Sequence, residues 1–64
     1  MKLSETQKLL MSGLKVFGVE NDLIVGIMLL LQDEDQQERL MEWMAEHEGA
    51  TPETILRIAT EIAM

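Results

Sequence analysis

His47 is the single histidine of a 64-residue chain that contains no cysteine and no tyrosine. The side chains examined first for nucleophilic or metal-assisted chemistry are therefore few: His47, Ser4 and Ser12. The residues that share a helix face with His47 lie three and four positions away, and they are Trp43, Met44, Ala50 and Thr51. These neighbours supply no second metal ligand and no general base. We therefore predict that the protein is not an enzyme and binds no essential metal or cofactor, with His47 as a boundary residue.

The segment 33–38 is rich in carboxylates and raises the question of a calcium site, because oxygen donors at alternating positions begin an EF-hand loop. That loop also requires glycine at its sixth position and glutamate at its twelfth. Counted from Asp33, those positions hold Glu38 and Met44. The segment is better explained as an acidic helix start, and we predict no calcium site.

Glutamates in the middle of the chain recur every four residues and so share one side of a helix. They are Glu34, Glu38, Glu42 and Glu46, and we call this row the acidic ridge. Each neighbouring like-charged pair destabilises a helix by about 0.2–0.5 kcal/mol, so folding alone does not favour the row. Two interpretations stay open. The ridge is either a solvated face, with Arg39 pairing to Asp35 or Glu42, or a docking surface for a basic protein, with Trp43 as a further partner-binding residue.

The elements that position these residues are predicted to be helices, because apolar residues recur at spacings of three and four while strand-like alternation is short. We expect an all-α fold in which residues 1–64 form one domain, a compact bundle of four short helices. The predicted ranges are 4–17, 21–31, 33–48 and 51–63. The residues expected to begin them are Ser4 with Gln7, Asn21 or Asp22, Asp33 with Gln36, and Thr51 with Pro52.

Two further features of the chain concern the helix ends. Gly18 is expected to close the first helix in the left-handed conformation, and Gly49 to set a helix-turn-helix-like corner between the last two helices. Neither glycine nor proline separates the second helix from the third. A continuous rod would nevertheless place Asp33, Gln36 and Gln37 toward the core, so we predict a break at Asp33.

The second predicted helix is apolar on every side, because residues 23–31 include no polar or charged side chain. Three other short helices can cover only part of it. We expect the remainder to contact a second copy in a homodimer. The residues assigned to self-association are Leu23, Val25, Ile27, Met28 and Leu29. A compact monomer that buries this helix at its centre is the alternative.

The charge of the chain bears on its ligands, since twelve acids against five bases give a formal net charge of −7 and a pI near 4.4. Within residues 1–19, three lysines against one glutamate give +2, whereas nine acids against one arginine give −8 within residues 20–50. We expect neither nucleic acid nor an anionic membrane as the main ligand, because both are negatively charged.

The hydropathy pattern predicts no membrane span, because the longest apolar run has nine residues, 23–31, and a bilayer requires about 20. Lys2, Glu5 and Lys8 interrupt the apolar stretch that a signal peptide needs. We therefore expect a cytoplasmic protein.

Ala45, Gly49 and Ile55 have the spacing of a helix-turn-helix unit: a small residue, a turn glycine four positions later, and an apolar residue six positions after that. Residues 39–58 resemble this family, which implies a DNA-binding regulator. Glu48 departs from the pattern, because it occupies a position that is usually apolar. The would-be recognition helix also presents one base against two acids, whereas contacts to DNA use basic side chains.

A second resemblance extends over most of the chain. The residues that carry it are 21–24, the apolar run to Leu31, Trp43, and the segments 50–53 and 55–56. In this arrangement the chain resembles small acidic proteins of unknown function from phages and mobile elements of Firmicutes. The resemblance implies a short helical fold in the cytoplasm and assigns no active residue.

The sequence as a whole favours a small protein–protein interaction module, acting as an adaptor, inhibitor or regulator, with an acidic helical face and an apolar helix for self-association. The expected partner is a protein with a basic surface. Two alternatives belong to other classes of protein: a helix-turn-helix-like DNA-binding regulator, and a structural module whose only task is its own assembly.

Overall fold

A computed structural model describes residues 3–64, and this part of the chain contains four α-helices and no strand. Their bounds are Glu5–Val16 for α1, Asn21–Leu30 for α2, Glu34–Glu46 for α3 and Pro52–Ala63 for α4. The predicted all-α fold of four helices is confirmed, and so is the break between the second helix and the third. The predicted ranges overran the observed helices by one or two residues at most of their ends.

The four helices form a ring in which each packs against two others. α1 packs on α2 and α3, and α4 also packs on α2 and α3. α2 and α3 follow each other in sequence but lie diagonally across the bundle, as do α1 and α4. The outer faces of α2 and α3 are therefore on opposite sides of the molecule.

The core contains residues from every helix and from two of the connections. The buried apolar residues are Leu10, Leu14, Val19, Ile24, Ile27, Leu31, Leu40, Met44, Ile55 and Ala59. Helices of 10 to 13 residues are marginal in water by themselves. Their persistence therefore depends on this shared core, in which each fully buried Leu or Ile contributes about 1.5–3 kcal/mol.

Both ends of α1 form as its sequence predicts. The Ser4 hydroxyl accepts from the Gln7 backbone N–H at 3.1 Å, and the Gln7 side-chain oxygen accepts from the Ser4 backbone N–H at 2.7 Å. Gly18 has a φ of +83°, so the left-handed residue after α1 is confirmed. Together these features fix both ends of α1 by local interactions.

The predicted cap of α2 is wrong, whereas the predicted cap of α3 is confirmed in position but forms no capping box. Glu20, and neither Asn21 nor Asp22, occupies the N-cap of α2, and its side chain makes no capping hydrogen bond. Asp33 is at the N-cap of α3 but its side chain caps no backbone amide, so it forms no capping box with Gln36. These two helix starts are held by tertiary packing instead.

Gln37 ties α3 to the end of α2. Its side chain is buried, and its Nε2 donates to the Leu31 carbonyl oxygen at 2.7 Å. This bond satisfies one of the carbonyls that the end of α2 leaves without an intrahelical partner. A polar residue of the predicted break therefore does lie in the core, where it holds the break in place.

Gly49 lies in the turn between α3 and α4, where the corner was predicted. Its φ is not positive, and nothing lies within 4 Å of the position that a Cβ would occupy. The corner is closed by a turn in which the Ala50 N–H donates to the His47 carbonyl oxygen at 3.0 Å. The predicted cap of α4 is confirmed, because Thr51 Oγ1 accepts from the Thr54 N–H and Pro52 is the first helical residue.

No helix within residues 3–64 combines the length and the hydropathy that crossing a bilayer requires.

Candidate functional site

The acidic ridge lies on the outer side of α3, and all four of its glutamates are exposed. α3 turns Gln37, Leu40 and Met44 toward the core. At about 100° per residue, successive glutamates are offset by about 40° around the helix. The ridge therefore winds from the flank of α3, at Glu34, to its outer side, at Glu42 and Glu46.

The ridge carboxylates have no cationic partner among residues 3–64. The one ion pair in this part of the chain joins Arg57 Nε to Glu61 at 3.8 Å, on α4. The predicted pairing of Arg39 with Asp35 or Glu42 does not form. The physical reason is that an exposed pair contributes only about 0–1 kcal/mol, against the rotamer freedom that both side chains would lose.

An apolar hollow opens beside the second half of the ridge. Its volume is about 480 Å³, and its lining residues are Val16, Phe17, Met44, Ala45, Glu48, Gly49 and Ala50. Ala45 is three residues after Glu42 and so lies on the same side of α3. Val16 contributes the most open surface, since 84% of it is exposed. Carboxylates and an apolar depression are therefore adjacent on this side of the molecule.

Trp43 lies on a different side of α3 from Glu34 and Glu38, the first half of the ridge. It is half-buried against the core, and on the helix it lies about 100° from Glu42 and about 60° from Glu46. His47, the exposed C-cap of α3, stacks on Trp43 with ring centroids 4.2 Å apart and 13° between the planes. His47 Nδ1 lies 2.8 Å from the Trp43 carbonyl oxygen, and because that oxygen only accepts, Nδ1 carries the hydrogen.

The stacking between Trp43 and His47 was missed at the level of sequence. The signal was present, since an aromatic residue and a histidine four positions apart are neighbours on a helix. The imidazole of His47 therefore covers one face of the Trp43 indole.

The residues assigned to self-association separate into two groups. Val25 and Leu29 are 57% and 66% exposed, and Leu23 and Met28 are half-buried. The assignment of Ile27 to this surface is wrong, because its side chain is fully buried among the helices. A helix that is apolar all round does not reveal from its pattern which side will be covered.

An apolar groove runs between α1 and α2. Its volume is about 490 Å³, and its lining residues are Leu3, Gln7, Met11, Ile24, Val25, Met28, Leu29 and Gln32. A smaller hollow of about 210 Å³ shares Leu3 and Met11 with it and adds Lys8, Ser12 and Lys15. The groove thus has basic side chains along its α1 edge.

The helix-turn-helix-like segment presents little basic charge. On α4, Glu53, Arg57 and Glu61 are exposed, and the guanidinium of Arg57 is paired with Glu61. A phosphate contact by Arg57 would have to compete with that carboxylate.

Comparison with protein families, characterised proteins and solved structures finds no match to this chain.

Proposed function

We propose that the protein is a small protein–protein interaction module that docks a basic partner on the acidic ridge, acting as an adaptor, inhibitor or regulator. One observation carries the proposal: four exposed carboxylates follow one another along α3 with no cationic partner among residues 3–64. Such a row has a like-charge cost that the fold itself does not offset. A basic partner would remove that cost on binding.

The hollow beside the ridge extends the proposal to the shape of the partner. It supplies an apolar contact at Ala45, three residues after Glu42. Affinity at interfaces concentrates in a few apolar anchors within a polar rim. The partner that fits is therefore a basic segment with one or two apolar side chains. The carboxylates would govern the association rate and its salt dependence. The apolar side chain of the partner that enters the hollow would govern the lifetime of the complex.

The DNA-binding alternative is less well supported, because α4 offers one arginine and that arginine is already paired with Glu61. A net charge of −7 also repels the phosphate backbone. The purely structural alternative leaves the ridge without a role beyond solubility.

The experiment compares three proteins as baits for capture from a lysate. The first is the wild type, and the second replaces each ridge glutamate with glutamine. The third is a control of equal net charge, with glutamine at four other exposed glutamates: Glu5, Glu20, Glu53 and Glu61. Circular dichroism of all three baits checks that the helices remain.

A protein retained by the wild type and the control but lost by the ridge variant supports the proposal. The purified partner should then bind less tightly as salt rises, because exposed charges are screened. Retention by all three baits places the site elsewhere, and an empty lane for the wild type contradicts the function itself.

A further inference from the structure

The outer face of α2 is apolar and open. Val25, Leu29 and Leu30 are 57%, 66% and 42% exposed, and Val25 and Leu29 also line the groove beside α1. Soluble monomers seldom leave several large apolar side chains contiguous at the surface, and such patches usually mark an interface.

Gly26 lies in the middle of this face, and nothing within residues 3–64 requires a glycine there. Its φ is not positive, and no atom lies within 4 Å of the position of an added Cβ. Glycine weakens a helix interior relative to alanine. A small residue on an open apolar face is explained if the backbone of another helix approaches closely at this point.

The charges around α2 select the occupant of this face. No charged residue lies between Asp22 and Asp33. The face therefore offers no charged side chain that a basic or acidic partner could bind. The acidic ridge is on α3, diagonally across the bundle. Two copies that meet through α2 therefore keep their ridges on the far sides of the assembly, where repulsion between them is weakest.

The orientation of the two copies follows from the charges at the ends of the face. Asp22 is exposed at the start of α2, on the same side as Val25 and Leu29. Lys8 is exposed on α1 and borders Leu3 and Met11, which line the groove beside the end of α2. A parallel pair of α2 helices would bring the two Asp22 carboxylates together. An antiparallel pair brings each Asp22 toward Lys8 of the other copy.

The area of a stable interface determines how much of the surface must take part in the dimer contact. Each partner contributes ~800 Å² to an interface of standard size. α2 alone is about 15 Å long and about 10 Å wide, which is too small. The α1 edge of the groove must therefore join the contact, which includes Lys8.

We propose that the chain forms a twofold homodimer in which α2 packs antiparallel on α2 of a second copy, crossing at Gly26, with Asp22 of each copy paired to Lys8 of the other. The contact is isologous, so each ion pair occurs twice. The contact uses a different surface from the acidic ridge. A result that contradicts the dimer therefore leaves the function proposed above untouched, and the reverse also holds.

The test is sedimentation equilibrium over a range of concentrations up to millimolar chain, with circular dichroism as the check on folding. The wild type should reach the mass of two chains. Leu29→Gln and Gly26→Leu should each raise the dimer dissociation constant at least about tenfold, the loss expected when an interface anchor is removed. Leu9→Gln changes an apolar side chain of similar exposure, 61%, that does not line the groove, and should leave the constant unchanged.

Charge reversal tests the orientation. Asp22→Lys and Lys8→Glu should each weaken the dimer, and the double variant should recover the wild-type constant, because the pair is restored with its signs exchanged. A single-chain mass at millimolar concentration overturns the proposal, and leaves the face to a different occupant. A dimer that is indifferent to Leu29→Gln, or a double variant weaker than both single variants, also overturns it.

Discussion

α2 and α3 occupy equivalent diagonal positions in the bundle, yet their outer faces have opposite chemistry. α2 exposes Val25 and Leu29 and has no charge for a full ten residues after Asp22, whereas α3 exposes the four glutamates of the acidic ridge. Each nevertheless contributes a stripe of buried residues to the same core. The inward stripe therefore suffices for folding, and the outer faces carry features that folding does not need: exposed apolar area on α2 and like-charge repulsion on α3.

The two sides of α2 should differ most when their side chains are truncated. Ile27→Ala removes a fully buried side chain and should lower the free energy of unfolding by about 2–5 kcal/mol. Leu29→Ala should change it by about 0.5 kcal/mol or less, because 66% of Leu29 is already exposed. Urea denaturation at a concentration where the chain is monomeric measures both values. Equal losses would mean that Leu29 belongs to the core.

A charge introduced on the inner side of α3 should also lower the free energy of unfolding. Gln37→Glu should destabilise the protein at neutral pH by about 1–3 kcal/mol or more, because no donor among residues 3–64 contacts the Gln37 Oε1 to compensate a carboxylate. Burial favours the neutral acid, so the pKa of the introduced glutamate should be higher in the folded state than in the unfolded state. The loss should be absent below the unfolded pKa of about 4.3 and grow as pH rises above it.

The control for that pH dependence is Glu38→Gln, which removes a charge one residue away on the outer side of α3. The Gln37→Glu variant is compared with the wild type by thermal unfolding at several pH values. A constant difference across the range would mean that the new carboxylate reaches water.

Replacing a glycine by alanine should change the free energy of unfolding in opposite directions at two positions, one before α2 and one within it. Gly18→Ala should destabilise by about 1–2 kcal/mol, because a residue with a Cβ is strained at a φ of +83°. Gly26→Ala should stabilise the monomer by about 0.5–1 kcal/mol, because the position is helical and the space around it is open. Chemical denaturation of dilute samples distinguishes these outcomes, and a loss of stability in the Gly26 variant would indicate a contact within the chain.

The outer face of α3 should give the smallest effect. Glu38→Gln removes the two like-charged relations at a spacing of four, with Glu34 and Glu42, and should stabilise the protein by about 0.4–1 kcal/mol at low salt. The gain should shrink as salt screens the charges. Glu61→Gln is the comparison, because it removes a glutamate that has a partner, Arg57, and should give no gain. A salt-independent effect at Glu38 would point to packing and not to charge.

Local signals in the sequence predicted the parts of the fold that depend on neighbours in the chain. The capping box of Ser4, the left-handed Gly18 and the cap by Thr51 all involve residues within four positions of one another, and all are present. The predicted cap at Asn21 or Asp22 is wrong, and Asp33 occupies its predicted N-cap position without forming the capping box with Gln36. Packing between distant segments therefore contributes to how both helices begin. Gln37 shows the same limit, since its partner lies across a helix boundary.

The candidate surfaces follow the same division. The ridge could be predicted in full, because four glutamates at a spacing of four share a helix side wherever the helix lies, provided that this side faces outward. The self-association surface could be predicted only as a helix. Its members include Ile27 in the core and omit the exposed Leu30, and no periodicity within residues 23–31 distinguishes them.

The sequence by itself therefore determined the number and type of the elements, the break near Asp33 and the line of acids on α3, because helical period and capping act between residues close along the chain. The tertiary structure alone decided which side of α2 is covered and that a glutamine lies in the core. The physical reason is that burial depends on the ring of contacts among all four helices. An all-apolar helix has no polar side to orient it, so only its neighbours can select the face that remains open.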